Sequence, residues 1–442
     1  MYLCAIKIYI YAQCANEIMR ILIVNTSEQT GGAAVAANRL MAALNNSGEK
    51  AKMLVRDKST ANISVVELPK TLRQKWHFLW ERLRIFMALH FSKQHLWEID
   101  IANAGTDITL LPEFREADII HLSWINQGML SLRSIEKIVK SGKPVVWTMH
   151  DLWPAAAICH YAGQCHRFTQ ECHHCPLLPN GGSRHDLSNN VWKKKQRLYN
   201  SSNIHFVTCS RWLERQAKES ALLRHLSVTS IPNPIDTHVF CPQDRKKAKR
   251  ALGLPDDKNI ILFVAQKVTD RRKGAHFLIE ALNRLQSDNA SLAQTTAVAL
   301  LGGHGEELAE QIALPTYPLG YVAGDKRLAA IYNAADLFVL PSMEDNLPNT
   351  LMEALACGVP CVGFNIGGIP EMIDHKENGY VAVAGDIEDL TAGIQWVLAE
   401  ADREALHKAC LSKVTRCYSQ NSVAMRYVDV YTEAMAQKGY RL

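Results

Sequence analysis

The chain lacks any run of 18 or more apolar residues, so no segment reads as a helix that spans a bilayer. It also lacks short-period repeats and low-complexity tracts, which removes solenoids and disordered arrays. Net charge is scarce: 49 Lys and Arg against 44 Asp and Glu leave +5 over 442 residues. That does not suggest a nucleic-acid binder, and no nucleic acid is expected as a partner, although a local basic patch is compatible with it. The 12 cysteines form no chain-wide disulfide framework. Cys209, Cys357 and Cys361 sit in apolar runs as small core residues, a usage suited to a reducing cytosol. Residues 1–18 lack the positive start of a signal peptide, and Lys7 interrupts their apolar run. They read as an upstream extension or mis-called start before Met19, where MRILIVNT opens a buried strand.

What is present is a regular alternation. The runs 21–25, 52–55, 118–124, 144–150 and 204–210 are apolar and rich in β-branched residues, with helical stretches such as 33–46 and 131–141 between some of them. The pattern restarts with 259–265, 297–303, 336–342 and 360–365. Near-continuous apolar strands alternating with helices predict parallel sheets covered on both faces. The length calls for two domains. The Pro-rich, charged stretch 231–257 marks the break. The expected division is 19–236, a linker 237–256, a second domain 257–415, and a C-terminal helix 416–442 returning to the first. In such sheets ligands bind beyond the carboxyl ends of the strands, so the strand-to-helix loops carry the chemistry.

Three of these loops stand out. Gly31 and Gly32 follow the first strand and open a helix, where backbone amides approach an anion or simply make a tight turn. After the strand ending at Gln266 comes a basic cluster with Arg271, Arg272 and Lys273 before Gly274, suited to neutralising a diphosphate or to standing in solvent. The stretch Pro341 to Pro360 ends a strand, passes through Asp345, Asn346 and Leu347, and opens a helix near Asn349 and Thr350. That helix start favours a phosphate. Glu353, one turn inside amid apolar residues, requires a polar partner, of which a ribose diol is one.

The second half resembles the retaining glycosyltransferases of family 4. The likeness rests on Lys273-Gly274, the loop to Asp345, Glu353-Ala354-Leu355-Ala356-Cys357-Gly358-Val359-Pro360, Gly367-Gly368-Ile369-Pro370-Glu371 and Asn378-Gly379-Tyr380. Gly31-Gly32 and Ile231-Pro232-Asn233-Pro234-Ile235-Asp236 fit in the first half. The resemblance implies an α/β protein of GT-B fold, two Rossmann-like domains whose parallel sheets face across a cleft. It implies a nucleoside-diphosphate-sugar donor, a glycan or lipid-linked acceptor, and a bacterial surface-polysaccharide pathway. Lys273 would contact the donor diphosphate and Glu353 the ribose. Asp345 stands where the family usually has Glu at the donor sugar. Gln266 stands where it has Arg, so Arg271 or Arg272 would replace that charge. His150, at a strand end, matches a histidine placed near the sugar, and Asp151 beside it suits the cap of a turn. No cofactor is required for such chemistry, because basic residues fill the place of a metal at the diphosphate. A same-fold sugar-nucleotide epimerase and a non-catalytic sugar-binding scaffold are the alternatives.

Two features lie outside the generic pattern. Cys159, Cys165, Cys172 and Cys175 fit a tetrahedral structural zinc site, two disulfides, or reduced thiols. In residues 71–91, Trp76, Leu79, Leu83 and Phe86 or Met87 recur at helical spacing, with Arg73, Lys75, Arg82 and Arg84 between. Such a helix lies on an anionic membrane surface or packs in a core. The expected location is cytoplasmic, at the inner face of the membrane.

Overall fold

The computed structural model describes residues 18–268 and 270–437. Residues 1–17 of the expected extension, the last five of the tail and the side chain of Arg271 lie outside the described residues. The chain divides into two compact units, 1–231 with 423–442 and 232–422.

In the first unit β1 (Arg20–Ser27), β2 (Lys50–Asp57), β3 (Val65–Glu67), β4 (Ile119–Leu122), β5 (Val145–Met149), β6 (His205–Thr208) and β7 (Val228–Ser230) form one parallel sheet in the order β3-β2-β1-β4-β5-β6-β7. In the second, β8 (Asn259–Lys267), β9 (Thr296–Gly303), β10 (Thr316–Gly320), β11 (Leu337–Leu340), β12 (Cys361–Phe364) and β13 (Gly379–Ala382) follow the order β10-β9-β8-β11-β12-β13. Every residue of β4, β5, β11 and β12 is buried, as strands covered by helices on both faces must be. The edge strands β3, β7, β10 and β13 were not read from the sequence. They are short, and β7 and β10 are only half-buried throughout, so they carry no long apolar run to announce them.

The expected linker 237–256 needs correction. It belongs to the second unit and contains a helix, Arg245–Ala251. Asp244 caps that helix by accepting from the Lys247 amide. Lys249 is buried, its Nζ 2.6 Å from Asp336 Oδ2 and 2.7 Å from the Lys258 carbonyl. A Lys buried with a carboxylate partner looks like a solvated charge run when only sequence is visible. The helix Gln420–Ala436 enters the first unit's core, where Val423, Tyr427 and Tyr431 pack with Ile21, Leu40 and Ile119.

In each sheet the chain builds outward from its first strand, then crosses back to that strand's other side. The reversals fall between β1 and β4 and between β8 and β11. The loops leaving those strands frame the crevice where ligands of open parallel sheets bind.

Candidate active site

In the second unit the loops after β8, β11 and β12 are locked together by two glycines. The turn Arg271–Lys273 leads to Gly274, at φ 73, and the helix Ala275–Asp288. A Cβ on Gly274 would stand 1.8 Å from the Pro341 carbonyl oxygen, and one on Gly367 the same distance from that of Asp345. Only glycine permits either approach. The Met343 amide donates to the Arg272 carbonyl at 2.9 Å, and the Gly368 amide to the Asp345 carbonyl at 3.3 Å. Across this junction Lys273 Nζ meets Asp345 Oδ2 at 2.6 Å. The ammonium is therefore aimed at the reversal point by a carboxylate from the neighbouring loop. Arg272, more exposed, reaches Asp270 at 3.2 Å.

Asn346 and Leu347 are buried beneath the loop, while Asp345, Asn349 and Thr350 are half-buried. Pro348 precedes the helix Asn349–Ala356, whose first side chain accepts from Asn233 Nδ2 at 3.1 Å. The polar partner demanded by Glu353 is the Tyr332 hydroxyl, which donates to Oε2 at 2.8 Å. Tyr332 lies in Asp325–Asn333, and nothing in its own sequence context signals this role.

In the first unit Gly31 and Gly32 are exposed at the start of the helix Gly32–Asn46. The loop leading to them is anchored by buried Glu28, which accepts from the amides of Ser59 at 2.6 Å and Thr60 at 2.8 Å. His150 follows β5. Its Nε2 is 2.9 Å from Ser123 Oγ, and its Nδ1 is 3.5 Å from Cys209 Sγ. Burial pushes its pKa down to about 4 against the pull of Asp151, so the ring is neutral near pH 7. A neutral imidazole can hydrogen-bond a sugar hydroxyl without adding charge.

Asp151 caps the next turn, accepting from the Trp153 amide at 2.9 Å. It also accepts from Trp124 Nε1 at 3.0 Å and from His160 Nδ1 at 2.7 Å. His160 Nε2 donates to Asp100 Oδ2 at 2.7 Å, and Arg82 pairs with the other Asp100 oxygen. Burial disfavours the charged ring, yet Asp151 and Asp100 raise its pKa to about 10. These two carboxylates are far apart along the chain, so no local pattern could pair them.

Residues 244–410 match the model of the glycosyl transferases group 1, and residues 30–239 match that of Glycosyltransferase Family 4. The chain belongs to glycosyltransferase family 4. It is 26% identical over 374 residues to an uncharacterised glycosyltransferase of Methanocaldococcus jannaschii, covering 77% of this chain and 91% of that one. It is 28% identical over 234 residues to the D-inositol 3-phosphate glycosyltransferase of Thermobispora bispora, 50% of this chain and 54% of that protein. The match thus spans about half the length of that relative. Among solved structures, Anabaena HepE in complex with UDP-glucose superposes with a TM-score of 0.61 at 15% identity, over 94% of this chain and 100% of that one. This likeness identifies the fold as GT-B.

The cysteine group of this glycosyltransferase does not form the expected ligand set. Cys159, Cys165, Cys172 and Cys175 all border one cavity of about 20 Å³. Among the described residues, however, no three His, Cys, Asp or Glu side chains are placed to hold a metal ion, and all four cysteines are free thiols. Cys172 and Cys175 are packed with Ile158 and Phe168 in the core. Burial pushes Cys172 up to about 12 and Cys175 to about 11, stabilising the neutral thiols. The transferase's helix Leu72–Ala88 also departs from expectation at Arg82, which faces inward to Asp100 rather than out among the basic residues. No helix among the described residues is long and apolar enough to cross a membrane.

Proposed function

We propose that the protein is a retaining hexosyltransferase. It moves a sugar from a nucleoside-diphosphate donor to a hydroxyl of a lipid-linked glycan, at the cytoplasmic face of the membrane, during assembly of a bacterial surface polysaccharide. The observation that carries the donor reading is the Lys273–Asp345 pair at the reversal point of the second sheet, locked by Gly274 and Gly367. The UDP-glucose held by the Anabaena neighbour supports a donor of this class.

The chemical problem is the negative charge that grows on the departing diphosphate. Lys273, with Arg272 before it and the amide end of the helix Asn349–Ala356, supplies positive potential there without reorganising at the moment of reaction. Asp345 keeps the ammonium aimed before the donor arrives. Glu353, held by Tyr332, receives the ribose hydroxyls. His150 is neutral and fixed by Ser123 at Nε2, and the long Nδ1 contact with Cys209 is the one that a hydroxyl of the transferred sugar replaces. No carboxylate is assigned as a nucleophile, in keeping with front-face transfer and retention.

A thermal-shift screen over nucleotide sugars, followed by donor turnover with and without a lipid-linked glycan, tests this reading. Stabilisation by one donor and turnover that rises with acceptor are expected. Reversible interconversion of the donor without transfer would establish the epimerase instead, and binding without turnover the scaffold.

A further inference from the structure

The helix Leu72–Ala88 is turned inside out relative to an ordinary surface helix. Its buried positions are Glu81, Arg82 and Ile85, two of the three charged. Glu81 Oε1 accepts from the amides of Ile101 at 2.9 Å and Ala102 at 2.6 Å, and Arg82 pairs with Asp100. Its outward stripe is apolar: Leu72, Trp76, Leu79, Trp80, Leu83 and Met87 are all exposed, with Leu72 at 78% and Trp76 at 66%. Phe91, 70% exposed, continues the stripe past the helix end. Lys70, Arg73, Lys75, Arg84 and Lys93 are exposed around it. An apolar stripe of this size with a basic border is the chemistry of an anionic bilayer surface, where Trp sits at headgroup level.

The stripe runs into a cavity of about 700 Å³ at the foot of the helix, a volume in the range of small-ligand sites. Arg56 and Lys58, at and just after the end of β2, line it with Lys70 and Lys75. The only acids in the lining are Asp57, 2.6 Å from Arg56, and Glu67, 3.1 Å from Lys70. Four cations against two carboxylates leave the cavity positive. Leu72 and Leu79 belong both to its wall and to the exposed stripe, so the basic cavity and the apolar surface are continuous. The Arg56 guanidinium also bonds the Gln127 carbonyl, in the loop after β4 whose Ser123 holds His150. The cavity thus stands on the carboxyl edge of the first unit's sheet, the edge at which His150 lies.

We propose that this cavity binds the phosphate of a long-chain lipid phosphate presented by the bilayer, with the alkyl chain along the Leu72–Met87 stripe. The group it recognises is a phosphate ester carrying a hydrocarbon tail, and its identity as the glycan's carrier rests on the lipid-linked acceptor reading above.

Co-sedimentation of the full chain with phosphatidylcholine vesicles, plain or doped with dicetyl phosphate, tests the proposal. Binding to the doped vesicles alone is expected. Lys70→Ala/Lys75→Ala should weaken it by about fivefold per residue, the factor that corresponds to about 1 kcal/mol for each basic side chain near an anionic surface. Trp76→Ser/Leu83→Ser should weaken it as well, and inorganic phosphate should compete with the doped vesicles more than chloride of equal ionic strength. Equal binding to plain vesicles, or binding unchanged in Lys70→Ala/Lys75→Ala, overturns the phosphate site. Sedimentation-velocity detection of a dimer that Trp76→Ser/Leu83→Ser dissolves overturns it too, assigning the stripe to a second copy. Both variants should bind the donor nucleotide sugar as the wild type does. If the wild type turns over no donor even with lipid-linked glycan supplied, the transferase reading fails while the vesicle result stands by itself.

Discussion

His121 is the residue through which acid should loosen the first unit. It lies in β4 at 0% exposure, with Nδ1 2.5 Å from the Tyr431 hydroxyl and Nε2 2.8 Å from Thr148 Oγ1. Thr148 in turn is 2.9 Å from the Tyr427 hydroxyl, so the ring ties β4 and β5 to the helix Gln420–Ala436. Burial, with a smaller push from His150, lowers its pKa from 6.5 to about 3. A group depressed in this way favours the folded state fully above its unfolded pKa and loses that contribution as pH falls below it. At about pH 5 the unfolded chain has taken up the proton and the folded one has not, which costs about 2 kcal/mol from this residue, rising to on the order of 4 kcal/mol near pH 3. Denaturant unfolding from about pH 8 to about pH 5, followed by tryptophan fluorescence, reads this directly. Of the 9 tryptophans only Trp396 lies in the second unit. His121→Gln keeps a hydrogen-bonding amide but cannot titrate. It should remove about 2 kcal/mol of the pH dependence over that range. His150→Asn should remove a comparable share, because His150 is also depressed. A pH profile unchanged in His121→Gln would refute the reasoning.

Lys273→Ala should lower kcat by about 10²- to 10³-fold, the usual worth of a group that stabilises charge on a leaving group. A change confined to acceptor KM in steady-state assays would show that its ammonium does not face the diphosphate. Tyr332→Phe leaves the buried Glu353 carboxylate short of a donor, and should cost about 1–3 kcal/mol in stability while raising donor KM. Equal melting temperature and equal KM in the variant would remove Tyr332 from the site. For the cysteine group, metal analysis of protein purified without chelator should find no stoichiometric zinc, and Cys172 and Cys175 should react with thiol reagents only on unfolding. About one zinc per chain, released together with stability by a strong chelator, would instead establish the tetrahedral site.

Much of this molecule was legible locally. Buried strands such as ILIVN and LFVL announce themselves because a parallel strand covered on both faces must be apolar throughout. The block from Pro341 to Glu371 was legible because loops that touch backbone to backbone admit only glycine at Gly274 and Gly367. The edge strands were not, since a half-exposed strand resembles a loop in composition. The helix Leu72–Ala88 was half-read: its period was visible, but which face turns inward was not, because Arg82 looks the same in a basic stripe as in a buried pair with Asp100.

The sequence by itself determined the alternation of strand and helix, the restart that makes two sheets, the loops in which Lys273, Asp345 and His150 would be found, and the helix that carries Glu353. These are properties of neighbours along the chain, set by side-chain period and backbone freedom. Only the tertiary structure decided that Lys273 meets Asp345, that Tyr332 holds Glu353, and that His160 bridges Asp100 and Asp151. It also decided that four closely spaced cysteines border one cavity without forming a ligand set. Such pairings join residues far apart in the chain, and the cost of leaving a buried charge or polar group without a partner selects them only once the core has closed around it.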